Sequence, residues 1–138
     1  MRRAVDAVNV LVTGSSSHLA RVLLPVLCAD DTTPRVTGVD IAPPHFSHEK
    51  FQAITCDIRE PRLTDLLPRQ DALVHLAFVV LRGRMDESEM ADINVRGSHR
   101  LLLAARDAGI KRLVHLSSAA VYGKGVNVTE AAPYAPLH

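Results

Sequence analysis

The sequence predicts an α/β fold: a doubly wound parallel sheet in strand order 3-2-1-4-5, truncated after its fifth strand. Three observations carry this. Short apolar runs rich in β-branched residues alternate with stretches of helical periodicity along the 138 residues. The first run, Val8 to Val12, meets a small-residue turn, Thr13-Gly14-Ser15-Ser16-Ser17, that opens straight into a helical pattern. Finally, Gly14, Asp40, Asp57, Ala77 and Ser118 all fall at predicted strand C-termini, beyond which such sheets bind ligands, where the order reverses between strands 1 and 4.

The opening strand and turn organise the rest. Strand, small turn and helix together aim backbone N–H groups and a helix N-terminus at a phosphate, which points to dinucleotide binding. In the G-x-x-G-x-x-G form of that fingerprint the three positions are Gly14, Ser17 and Ala20. Alanine is mild at the third place, which needs only a small residue where helix packs on strand. Ser17 sets a Cβ and hydroxyl where backbone should approach the pyrophosphate, and the competing view is a plain βα turn whose serines cap the helix. Ser16, Ser17, His18 and Leu19 are the turn residues placed at the cofactor, with His18 a phosphate donor. Leu19, Leu23 and Leu27 recur on one helical face, and Pro25 is expected to kink the helix or loosen its bond to Arg21.

Asp30 to Pro34 makes a turn, Arg35 to Ile41 the second strand, and Pro43-Pro44 breaks the chain into a polar loop with His45 and His48. Phe51 to Cys56 is the third strand, followed by Asp57-Ile58 and a short helix around Leu63, Leu66 and Leu67. Asp71 to Ala77 is the fourth strand, and a loop with Arg82, Gly83 and Arg84 follows. Asp86 or Ser88 caps a long helix to about Ala108, stopped by Gly109. Arg112 to Ser118 is the fifth strand, and Gly123 to His138 is loop-like.

Composition bounds the function. A chain of 138 residues, 47% hydrophobic and 22% charged, is one globular domain over residues 1–138. A net charge of +1 without a basic, aromatic-interleaved stripe argues against nucleic acid. Arg2 and Arg3 precede no signal-like apolar region, and no apolar run reaches membrane-spanning length, so no membrane partner is expected. Cys28 and Cys56 lack ligand-like spacing and read as buried thiols in a reducing cytoplasm. His75 and His115, on neighbouring strands, read as packed and hydrogen-bonded side chains, and no metal is expected.

Asp40 lies 26 residues after Gly14, near the spacing of an acid that accepts from the adenosine ribose. A carboxylate there repels a 2′-phosphate, which favours NAD over NADP. Asp57 is placed to accept from the adenine amino group, or else to cap the next helix.

Taken in order, VLVTG, VDI, CDIRE, LVHLAF, INVRGS, AGIKRLVHLSS and AAVYG make the chain resemble the N-terminal part of the extended short-chain dehydrogenase/reductases, the NAD-dependent epimerase/dehydratase group. The resemblance implies a Rossmann-type fold, NAD as cofactor, and Asp57 and Ile58 against adenine. It places Leu76 and Ala77 along the pyrophosphate and ribose path, and has Asn94 steady the cofactor side of the long helix. Ser118, four residues before Tyr122, takes the place of the family's catalytic hydroxyl facing the nicotinamide, with Ser117 the lesser neighbour. The hydroxyl would bond a substrate oxygen whose charge changes during hydride transfer.

The family's Tyr-x-x-x-Lys pair, in which lysine tunes a tyrosine base, is missing: residue 126 is Val, and Tyr134 has His138 at the fourth place. The substrate domain is absent as well. The expectation is therefore the cofactor domain of an epimerase or dehydratase acting on a sugar or similar hydroxyl, a fragment that binds NAD weakly and turns nothing over. Its small-molecule substrate belongs to a full-length relative. The alternative is a non-catalytic NAD-binding sensor or regulatory protein. Along the long helix, Met90, Ile93, Asn94, Gly97, Leu101, Ala104 and Ala108 form the face toward the sheet. Val95, Leu102 and Leu103 form a second apolar patch, so self-association through the helix around 86–108 is expected.

Overall fold

The computed structural model describes residues 7–80, 85–125 and 127–136. The predicted loop at Arg82, Gly83 and Arg84, and positions Val126 and His138, lie outside them. Five parallel strands, β1 (Val10–Thr13), β2 (Val36–Asp40), β3 (Phe51–Thr55), β4 (Ala72–His75) and β5 (Arg112–His115), form one sheet. Its order is β3-β2-β1-β4-β5, as the sequence predicts. Val10 stands opposite Val36 on one side and Ala72 on the other, so β1 is the central strand between two crossovers. Each strand is shorter than its apolar run, because the flanking residues leave the ladder for the loops.

The period-two alternation of β1 divides the core. Val10 and Val12 face helix α1 (His18–Ala29), where they pack with Ala20, Leu24, Cys28, Val36, Ala72 and Leu76. Leu11 faces the other way, joining Val39, Leu63, Leu67, Leu73, Leu101 and Ala105. Burying a leucine of this kind contributes roughly 1.5–3 kcal/mol, so both faces of β1 are anchored. The buried stripe of α1 is Ala20, Leu24 and Cys28 rather than Leu19, Leu23 and Leu27; Leu23 and Leu27 flank the core and Leu19 is 44% exposed. Pro25 sits on the exposed side, and α1 runs through it without a break.

The short helix after β3 is a 3₁₀ helix, Pro61–Arg69, with two prolines in nine residues. The long helix is not uniform either. Helix α2 (Glu87–Ala91), capped by the Asp86 carboxylate, passes through a π turn at Asp92–Gly97 into helix α3 (Ser98–Asp107). Gly97 and Leu101 are buried as expected, with Ser98 and Ala105 beside them, and Leu102, Ala104 and Ala108 pack partly against the core. Of the predicted second patch only Val95, 64% exposed, and Leu103, 38% exposed, face solvent. Gly109, at φ 77°, ends α3 as predicted. Edge strand β5 keeps all four residues exposed.

A polar tie crosses the second layer. His75 Nδ1 is hydrogen-bonded to Thr13 Oγ1 (2.6 Å) and Nε2 to Ser98 Oγ (2.8 Å), joining β1, β4 and α3. His115 stacks on His75 with ring centroids 5.2 Å apart. Burial, helped by His115, pulls the His75 pKa down to about 4, so the ring is neutral. One hydroxyl then donates to the ring and the other accepts from it.

Candidate functional site

The site grows from the turn after β1. Gly14 adopts φ +72°, and a Cβ there would stand 2.7 Å from Ala77 N and 2.8 Å from the Leu76 carbonyl carbon. Only glycine lets the β1 and β4 ends come this close. Gly14 N–H and Ser15 N–H donate to Val39 O (2.9 and 3.2 Å), which ties the turn to β2. Ser17 is the N-cap of α1: its hydroxyl accepts from Ala20 N–H at 3.3 Å, and its φ of −69° is ordinary for any residue. The helix-capping role weighed for this serine is thus realised. His18 and Leu19 are the first two residues of α1, so their N–H groups have no partner within the helix. Both side chains are exposed.

Asp40, at the end of β2, binds the turn directly. Its Oδ2 accepts from Ser16 N–H and its Oδ1 from Ala42 N–H, both at 2.9 Å. Ser16 Oγ donates to Pro43 O (2.9 Å), holding the loop after β2 against the turn. Each Asp40 oxygen keeps a free lone pair.

Asp57 follows β3 and does not cap the 3₁₀ helix, whose N-cap is Glu60. Glu60 instead accepts from Asp57 N–H (2.8 Å). The Asp57 carboxylate pairs with Arg59, whose Nη2 donates at 2.7 Å, and this contact holds it below the usual carboxylate range. Arg59 also reaches Asp92 on the π turn (3.1 Å). Across the site, the Asn94 amide grips the main chain of Val79.

These elements enclose a cavity of about 170 Å³. Gly14, Ser17, Asp40, Asp57, Ile58, Leu76 and Ala77 line it, seven of the residues singled out in the sequence. Val39, Ile41, Cys56, Phe78, Val79 and Ile93 complete the wall. The sequence assigned no site role to Phe78, the last residue of LVHLAF, to Val79 directly after it, or to Arg59, whose reach to Asp92 leaves no local signal. Ser16 stands behind Asp40, and Asn94 behind Val79. Ser117 and Ser118 lie beyond β5, exposed and outside the cavity wall. The Ser118 hydroxyl accepts from Ala120 N–H (3.2 Å), capping the 3₁₀ turn Ala119–Tyr122, and its O–H stays available as a donor. A larger, more polar cleft of about 620 Å³ opens at the opposite end of the sheet, by Arg35, Gln52 and Arg69. The smaller cavity lies where strand order reverses and is the one on which the acids and the turn converge.

A glycine cradle that any Cβ would fill, two unpartnered helix N–H groups, two carboxylates and apolar walls suit a ligand with an anionic middle and a purine nucleoside end. Fold and site together define a Rossmann-type nucleotide-binding domain. The sequence profile of the NAD dependent epimerase/dehydratase family matches residues 10–138. The chain is 34% identical over 146 aligned residues to a UDP-glucose 4-epimerase of Mycolicibacterium smegmatis, covering 91% of this chain and 46% of that protein. Among solved structures, a short-chain dehydrogenase/reductase superfamily protein from Agrobacterium tumefaciens with bound NAD superposes with TM-score 0.81 at 30% identity. That match covers 93% of this chain and 39% of the other. A UDP-glucuronic acid 4-epimerase from Bacillus cereus in complex with NAD gives TM-score 0.81 at 26% identity, covering 94% and 47%. The chain belongs to the NAD dependent epimerase/dehydratase family. It spans less than half the length of each of these three relatives.

Proposed function

We propose that residues 1–138 form a single NAD-binding domain serving hydride transfer at a sugar or similar hydroxyl. The observation that carries this is the convergence of Gly14, Asp40, Asp57, Ile58, Leu76 and Ala77 on one cavity at the strand C-termini. Relatives solved with NAD, among them sugar-nucleotide epimerases, support it.

NAD, when bound, supplies a nicotinamide ring that takes up or returns a hydride. Gly14 leaves room for the pyrophosphate, and the N–H groups of His18 and Leu19 donate to it, with the His18 ring a further donor. Ser16 and Ser17 shape the turn around it. Asp40 accepts from the ribose hydroxyls and excludes a 2′-phosphate by charge. Asp57 accepts from the adenine amino group and Ile58 packs on the ring. Leu76 and Ala77 floor the path toward the nicotinamide, and Asn94 holds that wall in place. Ser118, with Ser117 beside it, offers its hydroxyl to the substrate oxygen, where developing charge strengthens the bond. A small-molecule substrate is the second partner. The buried thiols Cys28 and Cys56 fit a cytoplasmic setting. Val95 and Leu103 form a surface through which two copies associate.

Amide-resolved NMR titration with NAD tests this reading. Shifts should concentrate at Gly14, His18, Leu19, Asp40, Asp57 and Ala77. Shifts confined to the cleft at Arg35, Gln52 and Arg69 would overturn it.

A further inference from the structure

We propose that Arg59 is a positioning residue that sets which purine the site accepts, by aiming one oxygen of Asp57 into the cavity. The inference rests on the reading that Asp57 meets the purine.

Arg59 occupies Asp57 from several directions. Oδ1 accepts from Arg59 N–H (2.8 Å) and from Nε (3.0 Å). Oδ2 accepts from Nη2 (2.7 Å) and shares Nε at 3.2 Å. A carboxylate has about four lone-pair sites. Arg59 meets these with three N–H groups, the shared Nε hydrogen lying nearer Oδ1, so one site is left, on Oδ2, on a residue that lines the cavity. The remaining acceptor is singular and fixed in direction. An ionised oxygen held this way attracts an exocyclic amino group and repels an exocyclic carbonyl, so it selects adenine over hypoxanthine.

Arg59 is itself held from the far side. Its Nη1 donates to Asp92 Oδ2 (3.1 Å), and Arg96 Nε donates to Asp92 Oδ1 (2.7 Å). The Arg59 stem also lies close over the π turn: a Cβ on Gly97 would sit 3.4 Å from Arg59 Cγ and 3.2 Å from Ile58 Cδ1. The guanidinium is a joint between the loop after β3 and the helix that carries Ile93 and Asn94. A lysine could not reproduce it, since one ammonium cannot present this planar fork to two carboxylates.

The test measures the ratio of dissociation constants for NAD and nicotinamide hypoxanthine dinucleotide, which differ at the purine amino position. The unmodified chain should prefer NAD by about tenfold, the worth of one hydrogen bond to a charged group. Arg59→Met should bring the ratio close to one while circular dichroism reports a folded chain. Should that variant not fold, Arg59→Lys keeps the charge and loses the fork, and its ratio should fall at least about threefold. Equal weakening of both dinucleotides with the ratio intact would make Arg59 merely structural and overturn the proposal. Asp57→Asn separates the two layers of inference. A ratio of one in the unmodified chain, unmoved by Asp57→Asn, would overturn the placement of Asp57 itself. A preference lost in Asp57→Asn but kept in the Arg59 variants would overturn only the role given to Arg59.

Discussion

The side-chain amide of Asn94 clamps the main chain of Val79 at two points: Val79 N–H donates to Asn94 Oδ1 (2.8 Å), and Asn94 Nδ2 donates to Val79 O (2.7 Å). The clamp joins the π turn to the loop after β4, and Val79 is part of the cavity wall. Truncating one side chain therefore leaves two main-chain groups without their partners. Asn94→Ala should cost about 1–3 kcal/mol in urea denaturation and weaken NAD binding. Asn94→Asp sets a carboxylate oxygen against the Val79 carbonyl and should be at least as destabilised as Asn94→Ala. Equal stability of all three chains would show that water replaces the amide without loss.

Gly14 permits no side chain. With φ at +72° and Ala77 N only 2.7 Å from the place of a Cβ, Gly14→Ala must displace either the turn or the end of β4. Calorimetric titration should show NAD binding abolished, with a lowered thermal midpoint. Retained affinity would mean that the turn relaxes without disturbing the pyrophosphate path.

The folded chain holds His75 neutral, with a pKa lowered from 6.5 to about 4 by burial first and by His115 second. Between those values the unfolded chain carries a proton that the folded chain does not. The stability that neutral His75 supports is therefore complete above pH 6.5, declines as pH falls through this window, and levels off below about pH 4. The full effect is about 3 kcal/mol. Denaturant midpoints taken across the window should show this decline, and His75→Gln should flatten it. A decline of unchanged size in His75→Gln would place its source in the carboxylates instead.

Strand order and the binding edge were legible because each strand is a short apolar run and each acid follows one directly, as Asp40 follows VTGV. Helix phase was not. Nothing local marks Asp92–Gly97 as a π turn, and Ser98 and Ala105 join the buried face beside the expected Gly97 and Leu101. Periodicity also chose Leu19, Leu23 and Leu27 over the stripe of Ala20, Leu24 and Cys28, two of them small, because it weighs apolarity and not the space between helix and sheet. The Arg59 bridge from Asp57 to Asp92 joins residues 35 apart in sequence, a distance over which residue patterns carry no signal.

Leu102 packs against the core, so the surface proposed for self-association consists of Val95 and Leu103. Val95→Lys combined with Leu103→Glu should convert an associating chain into a folded monomer, read by sedimentation velocity. A clean monomer for the unmodified chain at concentrations well above micromolar would rule this surface out.

If the cavity beyond β1, β2 and β4 is an NAD site whose ribose end is set by Asp40, the choice of dinucleotide must follow the Asp40 charge. Calorimetric titration of the unmodified chain with NAD and then with NADP measures that choice. Saturable binding at one site is expected, tighter for NAD, with Asp40→Ala narrowing the gap because the charge that repels a 2′-phosphate is gone. Tighter binding of NADP, or no saturable binding of either dinucleotide, would contradict it.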